Sequence, residues 1–398
     1  MEAPRDVDRS AAQAQVKRVA DFSLLGGPLH RLGRRIGLVR GATNTIPLGL
    51  ALGVLPTVVF VALAVAEGVA DRVFSLALVG GYARMLVAIP LLFICEAWLD
   101  PRVTIFARMV ADTGVVPPGA RPAYDAYLGR ASRWKDSWIP DAISLGITVL
   151  LGLAGARLLR YGTTAGFDPS RTVIAGTATA WWYWVVCLPL FRFLMLRWLL
   201  RLGLWTHYLW RLSRLKLHLV PTHADGAGGL GYLEVVHSTF MPLAAAGSVL
   251  LAASFAEEIA AGRIGLSAVY PGLAVVLLVY VVLFLGPLLV FAPALWACQA
   301  RGMNDYMALS SEYVTAFDAK WLGARRHDEP LLGTADLQAL ADFGSSMKLV
   351  RDMRWVPVGP RLLLELGLAA ALPMAPLLLL EYPLGDVLKK FVAIVSGL

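Results

Sequence analysis

The residues with the greatest chemical reach in this 398-residue chain are charges set inside apolar runs. Arg84 lies in the run 74–99, roughly 15 Å from its start along a helix and so near the middle of a bilayer. A charge at that depth costs at least about 2.5 kcal/mol, so Arg84 calls for a partner or a water-lined path. Arg192 in the run 176–199 and Glu365 in the run 361–381 sit at matching depths, where they can pair between helices. Arg361, four residues before Glu365, competes for the same carboxylate. Guanidinium groups along a path favour anions or raise a barrier to protons and cations. The chemistry expected of Arg84, Arg192 and Glu365 is therefore ion passage.

A second polar cluster, His218, His223, Asp225, Glu234 and His237, follows the fourth apolar run. Neutral imidazoles and carboxylates can ligate a divalent metal, although this spacing matches no HExxH or paired-cysteine pattern. The competing reading is a turn, in which Pro221 and Thr222 end an alternating run, Asp225-Gly226 reverses the chain, and Gly226, Gly228, Gly229 and Gly231 permit close backbone approach. The turn is the expectation. Gly226-x-Gly228-x-x-Gly231 also fits the dinucleotide fingerprint formally, but no βαβ unit surrounds it. No P-loop, EF-hand or nucleophile-and-base pair is present, so no catalytic residue is assigned. Cys95, Cys187 and Cys298 are isolated, which argues against disulfides and thiolate zinc sites.

The elements that must carry these residues are membrane helices. With 58% hydrophobic and 16% charged residues and a mean hydropathy of +0.64, the chain has more apolar surface than a soluble fold can bury. Runs of about 20 apolar residues suffice to cross the hydrocarbon. Seven qualify: 46–69, 74–99, 139–159, 176–199, 238–260, 267–292 and 361–381. Segments such as 274–291 run without charge or alternation, which excludes barrel strands. The fold class expected is an all-α integral membrane protein.

A pattern recurs through it. Pro90, Pro189 and Pro287, followed by Trp98, Trp198 and Trp296, mark the second spans of three hairpins whose first spans open at Pro47, Pro140 and Pro242. The organisation expected is a basic segment 1–45, hairpin repeats at 46–138, 139–237 and 238–360, and a final span and tail at 361–398. Amphipathic stripes, Tyr306, Leu309, Tyr313, Phe317 and Trp321, then Leu337, Leu340, Phe343, Met347 and Val350, predict helices beyond the spans, the second capped by Thr334. Of 36 basic residues, 26 fall in segments 1–45, 100–138, 197–237 and 293–360, which predicts a cytoplasmic N-terminus. The first 45 residues lack the apolar core of a cleavable signal peptide. The net charge of +8 lies along membrane edges, where anionic lipid head groups are the natural counterpart and nucleic acid is not. Glycine- and alanine-rich helix faces suit a homo-oligomer.

The stretches Val220–Gly231, containing THADGAGGLG, and Glu329–Asp342, EPLLGTADLQALAD, resemble the two signature stretches of a widespread group of uncharacterised bacterial multi-pass inner-membrane proteins. Where that group shows His-Pro-Asp, this chain has His223-Ala224-Asp225. The resemblance implies a bacterial inner-membrane location and no defined chemistry. The function expected from the residues is a channel or transporter for a small ion, an anion or a proton. The alternatives are a membrane-bound metal-dependent enzyme or sensor using the His/Asp cluster, and an envelope scaffold.

Overall fold

Apolar runs of this length satisfy their backbone groups internally only as helices. The computed structural model describes residues 23–24, 26–41, 43–160, 176–322 and 335–380, and among them the chain is helical with no strand. Its elements are α1 (Gly27–Arg35), α2 (Ile46–Ala66), α3 (Val79–Asp112), α4 (Arg121–Asp136), α5 (Ile139–Arg160), α6 (178–213), α7 (Tyr232–Ala260), α8 (Val269–Trp321), α9 (Ala335–Arg351) and α10 (Pro360–Leu380).

Five of them, α2, α3, α7, α8 and α10, are long and apolar enough to cross a membrane; counting residues 118–136 and α5 as one span with a 46° bend makes six. The chain is thus a multi-pass membrane protein: among the described residues the expected runs 46–69, 74–99, 238–260, 267–292 and 361–381 correspond to these five helices, while the run 139–159 falls on α5, whose side chains are described as far as Ala154, and the run 176–199 falls on α6.

Prolines shape the spans in two ways. Pro47, Pro140 and Pro242 occupy first-turn positions of their helices, where the missing N–H costs nothing. Pro90, Pro189 and Pro287 are each preceded by a π-helical stretch, 83–88, 183–187 and 281–285, ending two residues before the proline. A proline inside a helix removes one ladder bond and crowds the carbonyl four residues back, and widening the preceding turn relieves both.

α3 and α7 form the centre. Half of the apolar window of each is buried, against 28% to 33% in α2, α8 and α10. α3 packs on α2 and α7, α7 also packs on α10, and α6 packs on α5 and α3. Beyond the spans, α8 and α9 pair along their amphipathic stripes, with Phe343 stacked between Tyr306 and Tyr313 and Lys320 bound to Asp336 at 2.6 Å. Thr334, the remainder of the stretch 329–334, and the basic residues Arg171, Lys389 and Lys390 lie outside the described residues.

Candidate functional site

The seam between α3 and α6 carries two levels of polar contact. At one level, Glu96 and Asp100 stand one turn apart on α3, and Arg197 and Arg201 one turn apart on α6, so each pair shares a helix face. Arg201 grips Glu96 with both ends of its fork, at 2.9 and 3.1 Å. Arg197 lies 3.9 Å from the same carboxylate and 3.4 Å from Asp141 at the start of α5, and donates to the Gly26 carbonyl at 2.7 Å. Asp100 accepts from the Ser23 hydroxyl and the Leu24 amide at 2.6 and 2.7 Å. Glu96, Asp100, Arg197 and Arg201 are all buried. Bidentate, charge-assisted bonds of this kind are the strong ones, and they are needed here because two buried charges must offset their own desolvation.

α1 closes this level from the outside. Gly27 runs at φ +87°, and a side chain there would come within 3.1 Å of Asp141 Oδ2. His30 is buried beside the cluster. Its burial lowers the imidazole pKa, Glu96 pulls it up, and Arg197, Arg201 and Arg34 push it down again, leaving a net lowering and a neutral ring at pH 7. Two buried atoms of this level, His30 Nδ1 and Asp141 Oδ2, make no hydrogen bond.

The other level is built around Arg84. It stands in the π-helical stretch of α3 and donates to the Tyr183 hydroxyl at 2.9 Å; Tyr183 opens the π-helical stretch of α6. Glu257 of α7 accepts the Gly80 amide at 2.7 Å, one turn from Arg84. Arg192 interacts electrostatically with both Tyr183 and Arg84. Among the described residues neither arginine makes an ion pair. A cavity of about 20 Å³ adjoins Tyr183, lined by Thr57, Tyr82, Met85 and Cys187, with room for one water. The Tyr82 hydroxyl is buried there without a hydrogen bond. Along α3 and α6 between the two levels lie the buried apolar side chains Leu92, Leu188, Phe191 and Leu194, part of one core cluster.

Other expectations resolve differently. Glu365 binds Arg361 at 2.7 Å on its own helix, so no Arg192–Glu365 pair forms: the partner one turn away is already in reach. The histidine cluster is dispersed. His218 is exposed, and His237 is buried with Nδ1 at 2.7 Å from the Phe284 carbonyl and Nε2 accepting from the Trp205 indole at 3.2 Å. Both ring nitrogens of His237 are therefore occupied, and Glu234 is bound by Arg354 at 2.9 Å. Among the described residues no three His, Cys, Asp or Glu side chains are grouped to hold a metal.

The glycine turn forms. Asp225 accepts the amides of Ala227, Gly229 and Gly231 at 2.7–3.2 Å and meets His223 Nδ1 at 2.8 Å, while Gly226, Gly228 and Gly229 take φ of +62°, +64° and +99°. The amide nest that a phosphate would need is thus filled by the chain's own carboxylate. Half-burial raises the Asp225 pKa, but the amides of Ala227, Gly231 and Gly229 and the His223 ring outweigh it, holding it below the ordinary value.

Counting charge by segment treats Arg197 and Arg201 as loop residues, and Glu96, Asp141, His30 and Tyr183 carry no motif that marks them in the sequence. The i, i+4 arginines amid Leu194, Trp198 and Trp205 were the available signal, as was the shared position of Arg84 and Tyr183, each six residues before its proline. Comparison of the chain with protein-family models, with curated proteins and with solved structures found no match, so the likeness of the two signature stretches assigns no family.

Proposed function

We propose that the protein conducts or transports a small ion, a proton or an inorganic anion, along the seam between α3 and α6. The observation carrying this reading is a membrane-buried arginine, Arg84, held by a neutral phenol rather than by a carboxylate, beside a water-sized cavity and two π-helical stretches. A wholly structural arginine at that depth would be expected to carry a counter-ion. π-helical stretches concentrate at functional positions because they widen the backbone and free a carbonyl. In this reading Arg84 and Arg192 attract an anion or set the barrier that a proton crosses, Tyr183 and Tyr82 relay or orient the ion, and the layer at Leu92, Phe191 and Leu194 is the closed gate. The Glu96 level anchors the helices on the far side of that gate. Glu365, paired on the exposed flank of α10, takes no part.

The remainder of the proposal follows the charge distribution. The basic edge that carries α1 faces the cytoplasm of a bacterial cell, against anionic head groups of the inner membrane. The three proline-linked helices represent three copies of one hairpin, and copies of the chain associate through their exposed apolar flanks.

Purified protein in liposomes loaded with a pH-sensitive or a halide-sensitive dye tests the function and separates proton from anion. Flux in either assay that disappears in Arg84→Met and survives in Glu365→Gln supports the proposal. Absence of both fluxes in a correctly folded preparation, or unchanged flux in Arg84→Met, ends it.

A further inference from the structure

A cleft of about 730 Å³ opens between α1, α5 and α6. Its rim carries Arg31 and Arg35, one turn apart and exposed, and neither makes an ion pair or hydrogen bond among the described residues. Its walls are apolar, including Leu145 and Phe193, and Trp138, 69% exposed, stands at its edge in the manner of an indole seeking a membrane interface. Asp141 contributes to the lining, and its Oδ1 lies 3.4 Å from Arg197, so the carboxylate's charge is offset from behind.

These features call for an occupant with an anionic centre for the two arginines and hydrocarbon for the walls. A free inorganic anion supplies only the first. Phosphatidylcholine and phosphatidylethanolamine carry no net charge to balance two unpaired guanidinium groups. We propose that the cleft holds one phosphatidylglycerol molecule, its phosphate on Arg31 and Arg35 and its acyl chains along Leu145 and Phe193. The site is independent of ion passage, since it lies outside the seam and would bind lipid whether or not the seam conducts.

Native mass spectrometry of the detergent-solubilised full chain, titrated with dihexanoyl-phosphatidylglycerol, tests this. One lipid is expected to bind specifically. Arg31→Gln with Arg35→Gln, both at exposed positions whose loss leaves the melting temperature intact, should weaken it about 25-fold, because each basic residue at an anionic lipid surface contributes a factor of about five. Dihexanoyl-phosphatidylcholine should bind at least about tenfold more weakly than the glycerol lipid, having no net negative charge to offer Arg31 and Arg35. Equal binding of the two lipids, or full affinity in the double variant, overturns the site, and ethanolamine lipid binding as tightly as glycerol lipid overturns the choice of head group.

Discussion

The two polar levels of the α3–α6 seam share the same pair of helices and treat charge in opposite ways. At the Glu96 level two arginines, Arg197 and Arg201, face the carboxylates of Glu96 and Asp141, with a bidentate contact at the centre, and Asp100 accepts from the Ser23 hydroxyl and the Leu24 amide. At Arg84 two arginines approach a phenol, and the nearest carboxylate, Glu257, spends its hydrogen bond on the backbone of Gly80. Compensated charge locks helices together, because separating it exposes both members to the low dielectric. Glu257 stands close enough to Arg84 to interact with it electrostatically but forms no ion pair with it. A charge without a direct partner can respond to something that comes and goes, which is why the proposed function is placed at Arg84 and architecture at Glu96.

That contrast can be broken experimentally. The largest effect belongs to Glu96→Ala, expected to destabilise the protein by about 3–5 kcal/mol because it strands buried guanidinium groups; unfolding in mixed micelles measures it. Changing Glu96 and Arg201 together to methionine should recover most of that loss, and failure to recover would show that the level does more than balance charge. Next comes Tyr183→Phe, which removes one hydrogen bond to a charged group and should cost about 1.5 kcal/mol while abolishing flux. If it costs as much as Glu96→Ala, the two levels are equally structural and the distinction fails.

A smaller effect is expected at the Asp225 turn, a compensated site outside the spans. Its folded pKa is lowered, so its contribution to stability is complete above the ordinary aspartate value of 3.8 and declines as pH falls below that toward the folded value. The protection factors of the Gly229 and Gly231 amides should therefore fall on acidification, and in Asp225→Asn they should be low at every pH. The smallest effect is assigned to Glu365→Gln, whose partner Arg361 is largely exposed: neither flux nor thermal stability should move measurably.

Much of this was legible in the sequence, and the boundary is instructive. Helix starts at Pro47, Pro140 and Pro242 and the Asp225 turn follow from local chemistry, since a proline's missing N–H or a glycine's positive φ acts within a few residues. The Glu96 level was not legible because its members, Gly26, Glu96, Asp141 and Arg197, come together from four places in the chain, and a basic residue counted for topology looks the same whether it meets water or a buried carboxylate. Arg192 and Glu365 show the converse: equal depth in two spans says nothing about which faces of the helices meet, and Arg361 was closer. The turn's glycines carried both a ligand reading and a packing reading, and only the position of the Asp225 side chain decides between them.

The pairing of α8 with α9 has a mechanical consequence. The α-helical part of α8 beyond its 3-10 turn, Ala292–Trp321, is 30 residues long, roughly 45 Å at 1.5 Å per residue, and is stiffened by the stacked rings it shares with α9. It is continuous with the π and 3-10 stretch at 281–291, where helical hydrogen bonding changes register. A swing of five degrees at that joint would carry the far tip through about 4 Å, so a rearrangement too small to see among close-packed side chains would be written large at the end of a rod.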